Sequence, residues 1–580
     1  MASHALRRRL GLATVIVVAG AVALALLRYR HTERTTVVSA GTDGWNGATV
    51  QWSDDAVRIR SADDDGLMNT TEVELFGLRG ETLAFQVVVA ATDQPLQGVT
   101  VTLPDIEGVR TDRFVTFELP MKRRSGGTHP RVSLGWNEGA RPPTPAPGST
   151  IVDPLIPIRL TDHPAAPGAT PPWDYPMTVP AGRRRVLWVE LFITRAARPG
   201  THRATITVAS PSGSTALPMT LEIGRRHLPY AAAKTMVFVA PDTIAERVGE
   251  RTVSQTLQLL HRHHLTPVLP LNTAAQLDRS PMKELLTGEL FTEEAGYRGA
   301  GRGVGSDLVV LGIYGTLGMP EDEQLIEVDR ILERLDELAP KADRFLYAVD
   351  EECDSPRGPA WRRTLAQSAT ERLAALEVGH TCSIPPNEQD VDLVMMFASA
   401  YRPALARDTD KRVWIYNGVL PNTGSFLSDG WDVGLRANPW IQAHHGIERW
   451  FYWESVFWND GNRGGLGPYD PFATAETFHN ADGDHANGDG VLVYPGQQRR
   501  DGYLDLGAER TLPSFRLAQW RRGIQDVGYL TLAEEVAPAR TRAIRAELVG
   551  EAFSADRAPR FPVTPEPWRR ARRQLFELLR

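Results

Sequence analysis

Three acidic residues, Asp350, Glu351 and Glu352, follow directly on the apolar run Phe345–Val349. Carboxylates held this close repel one another and lose solvation, so at least one pKa rises. A carboxylic acid raised in this way can protonate a leaving alcohol near neutral pH. An acidic row also suits a helix N-terminus, so the row alone does not decide. Further along, Trp414, Tyr416 and Asn417 are followed by Trp450, Tyr452, Trp453 and Glu454, then by Trp458. Six of the 14 tryptophans crowd into this stretch, namely Trp414, Trp431, Trp440, Trp450, Trp453 and Trp458. Aromatic rings can stack on the apolar faces of pyranose rings, and an amide can bind hydroxyl or acetamido groups. Trp414, Tyr416, Asn417, Trp450, Tyr452, Trp453, Glu454 and Trp458 are therefore the candidate substrate-binding residues, although about half of such aromatics should be core if the fold is a barrel.

Those groups need a frame. After Pro229, strand-like apolar runs alternate with helical stretches, as in a parallel α/β domain. Eight such runs are Thr235–Ala240, Thr266–Leu271, Leu308–Tyr314, Phe345–Val349, His380–Ile384, Leu393–Phe397, Val413–Tyr416 and Trp450–Trp453. Helices are expected at Glu321–Leu338 and Ala360–Leu376. The pattern predicts a (β/α)8 TIM-type barrel over 230–500, whose catalytic groups sit where strands end. Upstream, 48–229 has period-two runs such as Leu83–Val89, Val186–Phe192 and His202–Val208, separated by turns. These predict an antiparallel β-sandwich. Residues 501–580 read as helices packed on the barrel, one capped by Ser514 and amphipathic, another at Trp568–Leu579. The fold class is thus multidomain β plus α/β.

Arg7, Arg8 and Arg9 precede an uncharged run from Leu10 to Leu27, and 31–47 then forms a linker. Eighteen residues of helix span about 27 Å, close to a bilayer core. Residues 1–30 are therefore expected to be a membrane anchor or a signal peptide, with the remainder extracytoplasmic, tethered or secreted. A net charge of −7 argues against nucleic acid as a partner. Two cysteines exclude a disulfide scaffold. Cys353 and Cys382 lie after the fourth and within the fifth expected strands, where they would form a disulfide or remain two buried thiols. The stretch Asp482–Gly490 lacks an acid at the twelfth position of a calcium loop, which is Val493. His261, His263 and His264 lack metal-ligand spacing. No metal and no cofactor is expected.

The segment Val186–Val208 resembles a strand pair of glycoside hydrolase family 123-like proteins. Asn487–Gly496 and the helix from Ser514 through Asp526 resemble the signature of the domain-of-unknown-function 4091 family, which overlaps with it. The resemblance implies a β-N-acetylhexosaminidase-type reaction with substrate-assisted retention on a glycan substrate. It makes Glu351 the general acid/base and Asp350 the residue that orients the 2-acetamido group. The acid pair is often followed by Pro in that family, whereas here come Glu352 and Cys353; Gly528 stands before Tyr529 where an acid is common. Two rival readings are a conventional retaining glycosidase with Glu454 as nucleophile, and a tethered glycan-binding protein without catalysis.

Overall fold

The structure is a computed structural model that describes residues 45, 47–61, 67, 71–126, 135, 142, 146, 148–158, 174–382, 391–459, 468–481, 483–554 and 557–580. The apolar run Leu10–Leu27 lies outside these residues. Among the described residues no helix is long and apolar enough to cross a membrane.

The N-terminal part forms two five-stranded sheets from β1 (Ala48–Asp54), β2 (Val73–Arg79), β3 (Thr82–Ala91), β4 (Leu96–Thr102), β5 (Val109–Pro120), β6 (Thr150–Pro157), β7 (Met177–Val179), β8 (Arg184–Ile193), β9 (Gly200–Ser210) and β10 (Gly213–His227). One sheet has the order β1-β3-β8-β5-β6, the other β2-β10-β9-β4-β7. Side chains of both, including Phe85, Leu187, Val208 and Leu221, share one core. Sequence pattern reports each strand's surroundings. β3 and β8 are apolar almost throughout because their second face is also covered, with Trp188 edge-on to Phe515 at 5.6 Å. β9 alternates because only one of its faces is buried. The β2–β10 pairing is parallel, which departs from an all-antiparallel arrangement.

Eight parallel strands follow: β11 (Thr235–Phe238), β12 (Pro267–Val268), β13 (Leu308–Leu311), β14 (Asp343–Val349), β15 (Glu377–His380), β16 (Leu393–Phe397), β17 (Arg412–Tyr416) and β18 (Trp450–Tyr452). Their order, β12-β11-β18-β17-β16-β15-β14-β13, gives a nearly closed barrel. At the seam the Gly312 amide donates to the Leu271 carbonyl at 3.0 Å. The interior is filled by alternate residues such as Met236, Val310, Phe345, Met395, Trp414 and Phe451.

The intervening helices are irregular. They are α1 (Pro241–Arg247), α2 (Thr252–Arg262), α3 (Met282–Thr287), α4 (Asp322–Leu338), α5 (Arg357–Ala366), α6 (Glu371–Ala374), α7 (Pro403–Asp408) and α8 (Gly434–His445). No helix stands between β15 and β16 among the described residues, and the helix expected over Ala360–Leu376 is two shorter ones, so the barrel is not a regular (β/α)8. The fifth strand also starts earlier than the sequence implied. Gly379 interrupts its apolar run, and a Cβ there would sit 2.8 Å from the Phe345 ring, so the strand carries a glycine where backbone and ring approach closely.

The chain closes with α9 (Phe515–Val536), α10 (Pro538–Val549) and α11 (Pro565–Leu578). Ser514 caps α9, its Oγ accepting from the Leu517 amide at 3.0 Å. The sequence predicted one apolar face for α9. Instead it is buried nearly all round from Phe515 to Leu530, clasped between the N-terminal sheet and the barrel. The arginines that look like a solvated face are buried and paired with acids of the sheets.

Candidate active site

All eight barrel strands point their C-terminal ends to one mouth, and β14 delivers the acidic doublet there. Phe345 and Tyr347 face the barrel interior, whereas Ala348 and Val349 both pack into the outer core. The pairing of β14 with β15 slips between Tyr347 and Val349. This irregularity brings Asp350 back to the side of Tyr347. Glu351 then takes φ +55, the left-handed region that a non-glycine residue enters at a cost. Tyr314 after β13 (φ +59) and Asn417 after β17 (φ +55) do the same at this end of the barrel.

Asp350 is clamped. Its Oδ1 accepts from the Tyr347 hydroxyl at 2.9 Å and the Thr381 hydroxyl at 2.9 Å. Thr381 Oγ1 in turn accepts the Glu351 amide at 3.0 Å, so one hydroxyl fixes both acids. A disulfide between Cys353 and Cys382 ties the two loops that carry these groups. Glu351 is exposed as a residue, but its Oε1 accepts from the Tyr416 hydroxyl at 2.7 Å. Desolvation at the mouth raises its pKa above the usual carboxylate value, the Tyr416 hydroxyl pulls against this, and the Asp350 charge adds to it. Glu352 points elsewhere and pairs with Arg357.

Across the mouth, Trp453 is half-buried and its indole Nε1 donates to Asp489 Oδ1 at 3.0 Å. Gly490 at φ +69 permits that approach, since a Cβ there would lie 2.7 Å from the indole Cζ2. The Tyr314 hydroxyl donates to the Trp453 carbonyl, and its ring lies 5.5 Å from that of Tyr347. Burial and the nearby charges of Glu454, Asp350 and Glu351 push the Tyr314 hydroxyl far up, which places all three acids around it. Glu454 is only 4% exposed, and its Oε1 accepts the amides of Ser455 (2.7 Å) and Val456 (2.9 Å). Burial raises its pKa to about 8 even against these amides. A carboxyl that stays protonated at neutral pH is poorly suited to attack as a nucleophile.

Four of the aromatics expected to bind substrate are core instead. Trp414 faces the barrel interior near the strand N-termini, with Nε1 on Glu448 at 3.0 Å and its ring between Arg412 and Arg449. Trp450 and Tyr452 point outward from β18; Trp450 donates to the Asn417 carbonyl at 2.7 Å, and Tyr452 stacks on Phe426 at 4.1 Å. Trp458 is fully buried with Nε1 on the Val493 carbonyl at 3.2 Å. Strand alternation sends Trp450 and Tyr452 to the outer core. Trp414 faces inward but lies deep in the barrel away from the mouth, and Trp458 sits beyond β18 in the outer core. Tyr416, Asn417, Trp453 and Glu454 remain at the mouth. Asn417 has its Oδ1 buried without a partner among the described residues.

Tyr314, Tyr347, Thr381 and Asp489 belong to the site and went unread in the sequence. Only Asp489 carried a signal, as the acid inside the Asn487–Gly490 turn. No group of three His, Cys, Asp or Glu among the described residues is placed to hold a metal ion.

A parallel barrel carries its functional groups at the C-terminal mouth and supports many chemistries there. The chain superposes on a family 123 glycoside hydrolase from Clostridium perfringens, studied for glycolipid glycan hydrolysis, with a TM-score of 0.60 over 92% of this chain and 98% of that one. At 11% identity this shows a common fold. A family 39 glycoside hydrolase from Bacteroides cellulosilyticus WH2, 10% identical over 72% of this chain and 79% of its own, gives a TM-score of 0.24, too low to bear on function. No protein-family model and no curated protein sequence matches the chain.

Proposed function

We propose that the chain is an extracytoplasmic glycoside hydrolase that cleaves β-N-acetylhexosaminides by substrate-assisted retention, held at a membrane or secreted through residues 1–30. The observation that carries the reading is the division of labour in the doublet, with Asp350 fixed by two hydroxyl donors and Glu351 open to solvent on one. In this reading Asp350 accepts the acetamido N–H and aligns the acetamido carbonyl oxygen. That oxygen attacks the anomeric carbon as the glycosidic C–O bond breaks, and the leaving oxygen takes its proton from Glu351. The Glu351 carboxylate then removes a proton from water, which attacks the anomeric carbon of the bicyclic oxazolinium, restores the acetamido group and leaves Glu351 protonated again. An internal nucleophile suits adjacent acids, which cannot flank a glycosidic bond as acid and nucleophile do in ordinary retaining enzymes, ~5–5.5 Å apart across the bond. The unpartnered Asn417 Oδ1 is an acceptor for a substrate hydroxyl, and Trp453 offers a ring face.

The test uses aryl β-glycosides with and without the 2-acetamido group. Turnover should require the acetamido group, and Glu351→Gln should lower kcat by about 10²–10⁴-fold on substrates with poor leaving groups. Hydrolysis of the plain glucoside at an equal rate, or full activity in Glu351→Gln, would overturn the mechanism.

A further inference from the structure

The chain has two cysteines, and the disulfide they form sits beside the acidic doublet. Cys353 stands two residues after Glu351, and Cys382 directly follows Thr381. The strands beneath are already joined without this link. β14 and β15 pair from Phe345 with Glu377 up to Val349 with His380, and the Thr381 amide donates to the Val349 carbonyl at 3.2 Å. The disulfide therefore acts beyond the end of the ladder, on the segment that turns.

That segment needs holding. The Glu352 amide donates to the Asp350 carbonyl at 2.7 Å, which closes a three-residue turn with Glu351 at φ +55 in its centre. Such a turn is strained for a residue other than glycine and persists only where its surroundings impose it. The other restraints on it are slight. The Glu351 amide donates to the Thr381 hydroxyl at 3.0 Å, and Glu352 pairs with Arg357 through a carboxylate that is 70% exposed. An exposed pair of this kind restrains a loop weakly. Asp350 is placed differently, because its donors belong to the ladder: Tyr347 lies within β14, and Thr381 is pinned to Val349. Opening the disulfide thus releases Glu351 and leaves Asp350 where it is. Cys382 is buried but Cys353 is exposed, so a solvent-borne thiol has a residue to approach.

We propose that the Cys353–Cys382 disulfide is a redox switch on the turn that carries Glu351, opened by a dithiol; its effect on turnover rests on the reading of Glu351 as general acid. A thiolate of the dithiol attacks the Cys353 sulfur, the S–S bond breaks, and its electron pair leaves on the Cys382 sulfur, which takes a proton. The second thiolate then attacks the dithiol's first sulfur and expels the Cys353 thiolate, which is protonated in turn. The protein gains two electrons and two protons, and the dithiol becomes a cyclic disulfide.

The test treats the full-length protein with about 10 mM dithiothreitol, after which two thiols should titrate without denaturant in a protein that still melts cooperatively. Phenyl β-N-acetylglucosaminide needs its leaving oxygen protonated, whereas the 2,4-dinitrophenyl glycoside does not. On reduction kcat/KM should fall about tenfold or more for the first and by about threefold at most for the second. Reoxidation should restore the parent, and the Cys353→Ser, Cys382→Ser double variant should match the reduced protein and ignore the dithiol. Amide hydrogen exchange needs no turnover, and over Asp350–Asp354 it should quicken about tenfold on reduction. Thiols that never titrate, loss of the cooperative melt, unchanged exchange, or equal falls for the two glycosides would each overturn the switch. Full activity of Glu351→Gln on the phenyl glycoside would instead overturn the role of Glu351, and the exchange result would still decide the switch.

Discussion

Tyr416 tunes the acid it touches. Its hydroxyl donates to Glu351 at 2.7 Å and favours the ionised carboxylate. Tyr416→Phe removes that donor, so the Glu351 pKa should rise further. If Glu351 is the general acid, the alkaline limb of the kcat/KM profile moves to higher pH, and a profile with an unmoved limb would separate Tyr416 from the titration. Glu454 makes a second prediction, about stability. Its pKa is 4.5 when unperturbed and about 8 in the fold, so between those values the native state holds a proton that the unfolded chain has released. Stability from this group is complete below about 4.5 and is lost as pH rises through about 8. Denaturant melts should therefore show a weaker alkaline decline in Glu454→Gln than in the parent. A parent and variant with the same slope would show that Glu454 is ionised in the native state.

Single elements carry the site through small departures from regularity. The slip in β14 and the left-handed Glu351 turn both acids toward the mouth, where an even strand would send them to opposite faces. The Cys353–Cys382 bond holds that turn against the loop bearing Thr381. At the start of α9, Ser514 is fully buried; its Oγ accepts from the Leu517 amide and donates to the Leu492 carbonyl at 2.7 Å. Ser514→Ala deprives two buried backbone groups of their partner and should cost about 1–2 kcal/mol, read as a lower denaturation midpoint with an unchanged m-value. A midpoint equal to that of the parent would mean that other groups replace the cap.

At the scale of the whole molecule, α9 is the rod that joins sheets and barrel. Arg516 meets Asp153 at 2.8 Å, Arg521 meets Glu190 at 2.7 Å, and Arg522 meets Glu81 at 2.6 Å, every one of these side chains nearly inaccessible to water. Arg516 also donates to the carbonyls of Phe426 (2.6 Å) and Gly488 (2.7 Å), which belong to loops of the barrel. Removing one partner of such a pair leaves a buried charge uncompensated. Asp153→Ala should therefore cost about 3–5 kcal/mol. Because the pairs cross from sheets to barrel, the two parts should melt in one transition. Calorimetry that resolved two transitions in the parent would contradict this coupling.

Local pattern was enough to place seven of the eight barrel strands, the cap at Ser514 and the acidic doublet, because apolar periodicity and turn chemistry are written in neighbouring residues; the fifth strand, expected at His380–Ile384, is Glu377–His380. Leu83–Val89, Val186–Phe192 and His202–Val208 all read alike as period-two strands, so pattern did not separate the doubly covered β3 and β8 from the half-exposed β9. Pattern could not tell which rings line a cleft, since Trp414, Trp450 and Trp453 have the same composition signal and differ in the face and in the depth along the barrel that the fold gives them. Nor could it show that Arg516, Arg521 and Arg522 are interior, because their acids come from the N-terminal sheets and their connections, more than 300 residues earlier in the chain. The roles of Thr381 and Asp489 also come from separate elements meeting, whereas Tyr347 reaches Asp350 within its own strand through the slip in β14. Thr381 and Asp489 are ordinary polar residues until the closed barrel brings them within hydrogen-bonding distance of an acid or an indole. Residue type and spacing supplied the chemistry available to this protein, and long-range packing decided which groups meet to use it.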